Sequence, residues 1–236
     1  MSIHKGLKFF ATQPHECSYL PEEQATTLFM DPEVTLNRTL YSTLADMGFR
    51  RSGRHIYRPH CQNCQACVPI RIPVDRFSPR RTQRKVWNRN ADLQVIQAEA
   101  QYTDEYYQLY KQYIDTCHQD GDMYPATVEQ FCSFLAESPD FCHFYEFRLQ
   151  GRLLAVSVAD ALGSGLSAIY TFYSPDHPKR SLGRYCILWL IETTKALGLR
   201  YLHLGYWIKN CQKMSYKIEY RPTQLYVNQQ WSELSE

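Results

Sequence analysis

Three cysteines recur at one spacing in His60-Cys61-Gln62-Asn63-Cys64-Gln65-Ala66-Cys67, and Cys17 offers a fourth thiol upstream. Thiolates at i and i+3 can converge on one ion when the turn between them folds back, so Cys17, Cys61, Cys64 and Cys67 are candidate ligands for zinc, with His60 able to replace one. An iron–sulfur cluster is the other metal reading, although the run lacks a fourth nearby cysteine followed by proline. A loop packed by reduced thiols is the alternative to both. Cys117, Cys132, Cys142, Cys186 and Cys211 fall inside or at the ends of expected helices and strands, where packing explains them.

The second group able to do chemistry is cationic. Between Arg50 and Arg89 the only acid is Asp75, while Arg80, Arg81, Arg84, Lys85 and Arg89 crowd around Trp87. Solvated helix faces normally mix signs, so an unmixed one points to phosphate contacts that grip a nucleic-acid backbone without reading its sequence. Further on, Arg180-Ser181-Leu182-Gly183-Arg184-Tyr185 has the Arg and Gly of a phosphate-cradling loop before a helix. Tyr185 stands where such a loop needs a small residue, which counts against coenzyme A. No Ser-His-Asp, Cys-His or paired-carboxylate spacing is evident, which suits a reaction whose acyl donor arrives already activated.

These residues must be positioned by the surrounding elements. Pro21 to Asp31 reads as a helix opened by Pro21 and Glu22. Leu36 to Met47 is a second helix, stopped by Gly48, and Phe49 to Arg58 a hairpin turning at Ser52-Gly53. Val68 to Val74 is a strand that Pro69 and Pro73 confine to an edge or to strand ends. Thr82 to Asn90 is a basic helix. From Asp92 the order becomes regular. A strand (93–98) precedes a helix capped by Thr103 and a second capped by Thr127 with Gln130 in the capping-box position. Three antiparallel strands then turn at Gln150-Gly151 and Gly163-Ser164-Gly165. A long helix (182–197), a strand (201–206), a short helix (210–216) and a last strand (223–227) complete the chain. The fold class is therefore α+β, with a small N-terminal domain (1–90) carrying the cysteine loop and a second domain (91–236) whose element order is that of the GNAT acyltransferases.

The formal charge of +2 hides the basic excess of residues 50–89, so the local field matters more than the total. No run of about 18 apolar residues is present to span a bilayer. Met1 to His15 lacks the apolar core of a secretory leader. Nine cysteines in such a chain are expected to be reduced, and a cytoplasmic location follows.

Three stretches resemble one family. They are Cys17-Ser18-Tyr19-Leu20-Pro21; Tyr57-Arg58-Pro59 through Cys67-Val68-Pro69-Ile70-Arg71; and Leu204-Gly205-Tyr206-Trp207-Ile208 with Cys211, Lys213, Met214, Tyr216, Lys217 and Tyr220-Arg221-Pro222. Together they resemble the aminoacyl-tRNA–protein transferases, in particular the short bacterial branch that donates leucine. The resemblance implies transfer of leucine from leucyl-tRNA to the α-amine of proteins beginning with Asp or Glu, which marks them for N-end-rule degradation. It also implies an N-terminal domain joined to a GNAT-like one. The eukaryotic arginyltransferases have adjacent cysteines where Cys64 and Cys67 are separated by two residues, and a second cysteine beside the position of Cys17. Their metal chemistry therefore does not carry over.

Such a reaction needs few catalytic groups and no cofactor. An α-amine of pKa about 7.7–8.0 is roughly a tenth neutral at pH 7. Positioning can contribute on the order of 7–11 kcal/mol, and donors aimed at the developing oxyanion supply more. Tyr206, Lys213 and Tyr216 are the catalytic candidates, against a packing role. An acidic first residue calls for a guanidinium, and Arg71 and Arg76 are the candidates, against phosphate contact or an ion pair with Asp75. Arg80, Arg81, Arg84, Lys85, Arg89, Arg180 and Gly183 are assigned to tRNA. Rival readings are an arginyl donor, a GNAT enzyme using acetyl-CoA, and a non-enzymatic RNA-binding or iron–sulfur protein.

Overall fold

The computed structural model describes residues 6–234; Met1 to Lys5, part of the segment read above as lacking a leader, lie outside the described residues. The first part of the chain runs β1 (Phe9–Ala11), β2 (His15–Glu16), β3 (Gln24–Ala25), β4 (Thr27–Met30), α1 (Arg38–Asp46), β5 (Arg50–Ser52), β6 (His55–Pro59) and β7 (Val68–Pro73). It continues with α2 (Arg81–Arg89), β8 (Gln94–Glu99), α3 (Asp104–Cys117), α4 (Val128–Phe131), β9 (Cys142–Leu149), β10 (Arg152–Ala161) and β11 (Gly165–Tyr173). The last elements are α5 (Leu182–Ala196), β12 (Tyr201–Trp207), α6 (Gln212–Ser215), β13 (Gln224–Val227) and β14 (Gln230–Glu233). Among the described residues no helix is long and apolar enough to cross a membrane.

The frame is an eight-stranded mixed sheet in the order β14-β13-β7-β12-β11-β10-β9-β8, beside a four-stranded sheet β1-β4-β6-β5 and the short β2-β3 pair. In the large sheet only β11 and β12 run parallel. Alternation along the strands separates its two faces. Ile70 and Ile72 of β7, with Leu202 and Leu204 of β12, pack under α5, whose Leu190 and Ile191 are fully buried. On the other face Phe144, Val156, Val158 and Phe172 meet α3. That helix presents Tyr106, Leu109, Tyr110, Tyr113 and Ile114, an apolar stripe at i, i+3, i+4, i+7 and i+8, and Thr103 caps it by accepting from Tyr106 N at 3.2 Å. A third core joins α1 and the small sheet to the large one through Tyr41, Leu44, Phe49, Ile56, Phe141 and Leu162.

Most expected elements are present, but two differ. Pro21 to Asp31 is not a helix: β4 lies between β1 and β6 by antiparallel pairing, and that long-range ladder overrides the local helix signal. The strand β7 is not at an edge, since it pairs with β12 and with β13. Its prolines are tolerated because β13 meets only Ile70 and Arg71, leaving Pro69 and Pro73 outside the two-sided ladder. This strand lies on the N-terminal side of residue 90, yet it sits in the sheet built mostly from later residues. Thr127 caps α4 as expected, but the helix continues as a π-helical segment, Cys132–Ala136. The side chain of Gln130 turns away to Tyr110 Oη at 3.2 Å.

Candidate active site

The parallel pair β11–β12 holds for only three positions, Gly165 with Tyr201, Leu166 with Leu202 and Ser167 with His203, and then the strands part. Gly165 closes one end: a Cβ there would collide with the Tyr201 carbonyl, so only glycine allows this approach. Beyond Ser167 and His203 a fork opens in the middle of the sheet. Gly205, at φ +81°, sits where the β12–β7 register slips between His203 and Tyr206, and re-aims β12 at the mouth of the fork.

Two cations from elsewhere reach this point. A methyl group placed on Gly205 would touch Lys217 Nζ at 3.7 Å and Arg50 Nε at 4.0 Å. Arg50 and Arg51 are neighbours on β5 and point to opposite sides of the strand, so one sequence pair serves two purposes. Arg51 is fully satisfied: it clamps Asp160 of β10 through two 2.7 Å bonds and also donates to Gly53 O, with both side chains of the ion pair sealed from solvent. Arg50, 5% exposed, donates only to Ser167 Oγ, at 3.2 Å, and its Nη2 has no partner. Among the described residues no carboxylate lies within ion-pair distance of Arg50 or Lys217. Burial first, then the charge of Arg50, lowers the Lys217 pKa to about 7. Its Nζ donates to Tyr206 O at 2.7 Å and approaches Met214 Sδ at 3.1 Å. His203, wholly buried and without a hydrogen bond at either ring nitrogen, is held neutral by burial and by Arg50 and Arg71. The base of the fork thus carries positive charge with no counterion, an arrangement that costs several kcal/mol until an anion enters.

The residues singled out in the sequence fall around this fork unevenly. Tyr206 is buried, and its hydroxyl donates to Gly48 O at 2.9 Å and Tyr57 O at 3.3 Å, tying the large sheet to the small one; its backbone carbonyl, not its side chain, meets Lys217. Tyr216 lies in an aromatic wall with Tyr173 and Tyr113, and burial raises its pKa to about 12. Lys213 points outward to both carboxylate oxygens of Asp120 at 2.7 Å. Arg71 is held between the rings of Tyr201 (3.6 Å) and Trp231 (4.2 Å) and donates to Gln224 Oε1 and Asp46 Oδ1. Arg76 pairs on the surface with Glu233 at 2.6 Å. Neither arginine bonds Asp75. Arg50 and Lys217 were not among the sequence candidates. Lys217 did lie in the third family-like stretch, beside the candidate Tyr216.

The cysteines do gather. Burial, with the thiols of Cys17, Cys61, Cys64 and Cys211 nearby, raises the Cys67 thiol to about 12. All of these thiols are free, and among the described residues no three Cys, His, Asp or Glu side chains form a metal-holding group. At Cys67 burial favours the protonated thiol over the thiolate.

Family models bear on this geometry directly. Residues 15–85 match the model for arginine-tRNA-protein transferase, N terminus, and residues 105–227 match the C-terminus model of the same family. The chain belongs to the arginine-tRNA-protein transferase family. It is accordingly an aminoacyltransferase, with an aminoacyl-tRNA and a protein as substrates. It is 60% identical over 229 residues to a Pseudomonas aeruginosa protein named aspartate/glutamate leucyltransferase, covering 97% of each chain. It is 59% identical to the protein of that name from Pseudomonas putida, again over 97% of each. Among solved structures it superposes on L-PGS from Bacillus licheniformis with a TM-score of 0.49 and 13% identity, over 61% of this chain and about half (48%) of that one.

In this family member the basic helix α2 packs against α5 through Trp87, whose ring lies 5.6 Å from that of Tyr185, so the tryptophan is half-buried inward. Arg80, Arg81, Arg84, Lys85 and Arg89 are exposed, and among the described residues none has a carboxylate partner. Gln83 joins α2 to the fork: its Oε1 accepts from Arg80 N at 2.8 Å and its Nε2 donates to Glu219 O, two residues from Lys217. Arg180 is engaged differently, with Asp92 at 2.8 Å through both Nη atoms. Gly183 admits the Tyr173 ring, since a Cβ would lie 3.0 Å from Tyr173 Cε1.

Proposed function

We propose that this protein transfers leucine from leucyl-tRNA to the α-amine of proteins whose first residue is Asp or Glu, marking them for N-end-rule degradation. The observation that carries the reading is the fork between β11 and β12, with uncompensated cations at its base. An acidic first residue supplies the missing anion, and the leucyltransferase name of relatives at 59–60% identity favours leucine over arginine as the donated group. The aromatic wall of Tyr113, Tyr170 and Tyr173 beside the fork suits an apolar donor side chain.

In the reaction the neutral α-amine attacks the ester carbonyl of the aminoacyl-tRNA. The C–N bond forms, the C–O bond to the terminal ribose breaks, and the proton lost by the amine leaves with the ribose oxygen or to solvent. No cofactor enters this balance. Catalysis is positioning plus stabilisation of the oxyanion by strand N–H groups freed where β11 and β12 part, with Lys217 holding Tyr206 O and so fixing β12. The exposed face of α2, with Arg80, Arg81, Arg84, Lys85 and Arg89, takes the tRNA backbone, and the Gln83–Glu219 contact sets its distance from the fork. Arg180 and Gly183 serve this surface by fixing the segment before α5 against the end of α2. Offering leucyl-tRNA and arginyl-tRNA separately, with an Asp-starting peptide, tests the reading. Leucine should be transferred at least tenfold faster, and equal or inverted rates would refute the leucyl assignment.

A further inference from the structure

Arg50 is a buried cation beside the fork with an unused donor. Its adjacent twin Arg51 shows what a structural arginine looks like in this protein: its five hydrogen bonds are all made within the fold, to Asp160, Gly53, Ser138 and Cys142. Arg50 has Ser167 alone, and Nη2 is sealed without an acceptor. Lys217, 8% exposed, approaches the same glycine, with its Nζ 3.7 Å from the Cβ position there. Its ammonium has three donors, of which one goes to Tyr206 O and one to Met214 Sδ.

We infer that Arg50 and Lys217, both next to the side-chain position of Gly205, are the residues that select the side-chain carboxylate of the acceptor's first residue. The inference rests on the proposed transfer to Asp- and Glu-starting proteins and names the part of the site that makes the choice. The carboxylate accepts from Arg50 Nη2 and from the remaining donor of Lys217, which cancels the charge left unbalanced in the free protein. It enters between β11 and β12, whose ladder ends at Ser167 and His203. Arg71 and Arg76, the other guanidinium candidates, already have Asp46 and Glu233 as partners. Glycine at 205 is part of the design, because a side chain there would fill the space between the two cations. A terminal phosphate of the tRNA is the other anion that could reach a cationic fork. It is the less suitable occupant, since the unpaired donors are buried and α2 offers an exposed cationic face for phosphates.

The test compares leucyl transfer to two peptides identical except for Asp or Asn at the first position, which differ in charge but not in shape. Wild type should prefer Asp by on the order of a hundredfold in kcat/KM. Arg50→Met should bring that preference down to within about threefold, with Lys217→Met weakening it to a smaller degree. Thermal shift with the Asp peptide gives a readout independent of turnover: it should raise the melting temperature of wild type and leave Arg50→Met unmoved. Retention of the Asp preference in Arg50→Met overturns the assignment, as does its loss in Arg76→Gln. Weakened leucyl-tRNA binding in Arg50→Met with the preference intact assigns the site to tRNA phosphate and overturns it equally. If Arg50→Met does not fold, loss of Asp-peptide protection in Lys217→Met decides the matter. No transfer to any peptide by wild type would instead contradict the proposed function itself.

Discussion

Replacing Arg50 by methionine should stabilise the free protein, whereas the same replacement at Arg51 should damage it severely. The two residues are adjacent, nearly equally buried and chemically identical, so the difference lies wholly in their partners. Arg51→Met leaves Asp160, which is 0% exposed, without its two 2.7 Å bonds. Stranding a buried carboxylate in this way costs about 3–5 kcal/mol. For a chain of this size that corresponds to a fall of roughly 6–20 °C in melting temperature. Arg50→Met removes one bond to Ser167, worth about 1 kcal/mol, and Ser167 keeps Tyr41 as a neighbour at 3.4 Å. Against that loss it relieves an unsatisfied donor on a buried charge, worth about 1–3 kcal/mol. The net expectation is a gain of about 1 kcal/mol, or a rise of roughly 2–4 °C. Urea and thermal unfolding followed by tryptophan fluorescence measure both. Equal destabilisation by the two substitutions would refute the reasoning, because it would mean that Arg50 has a structural partner of the same worth as Asp160.

Lys217 should make stability pH-dependent. Its folded pKa of about 7 lies below the ordinary lysine value of 10.5, so between those limits the unfolded chain binds more protons and stability rises with pH. The slope is at most about 1.4 kcal/mol per pH unit, and below pH 7 both states are protonated and the contribution is flat. Lys217→Met should abolish the slope; an unchanged profile in urea titrations between pH 7 and 9 would place the effect elsewhere. Removing Arg81 and Lys85 together should weaken leucyl-tRNA binding and reduce its logarithmic salt dependence by about one per lost phosphate contact, read by filter binding across a salt series. An unaltered slope would take the tRNA away from α2. Gly183→Ala should forfeit the gain of about 1 kcal/mol that alanine normally brings inside a helix, since the new methyl must push the Tyr173 ring aside by a few tenths of an ångström; calorimetry showing the full gain would mean that the ring moves freely.

Local chemistry was legible in the sequence wherever a local rule decides structure. Thr103 and Thr127 cap their helices, Gln150-Gly151 turns the β9–β10 hairpin with both residues at positive φ, and Gly48 ends α1 where a Cβ would lie 2.9 Å from Pro69. Features set by distant partners were not legible. The residues of β4 look helical until β1 and β6 pair on either side of them. Arg50 and Arg51 cannot be told apart in sequence, because Asp160, the residue that satisfies one and not the other, arrives 109 positions later. Arg71 and Arg76 likewise take partners from elsewhere in the chain, Asp46 at 25 positions and Glu233 at 157. Tyr206, Lys213 and Tyr216 share a segment with Lys217, but within it the sequence could not say that Tyr206 spends its hydroxyl on Gly48 and Tyr57, or that Lys217 turns inward while Lys213 turns out.

The account stands or falls on an acidic first residue meeting a buried cationic fork at the end of an aminoacyl-tRNA. Mass spectrometry of peptides after incubation with leucyl-tRNA tests this most directly. A peptide beginning with Asp or Glu should gain one leucyl group on its α-amine, while its N-acetylated twin and a Lys-starting peptide gain none. Leucine added regardless of the first residue, or added to the N-acetylated peptide, would contradict the account.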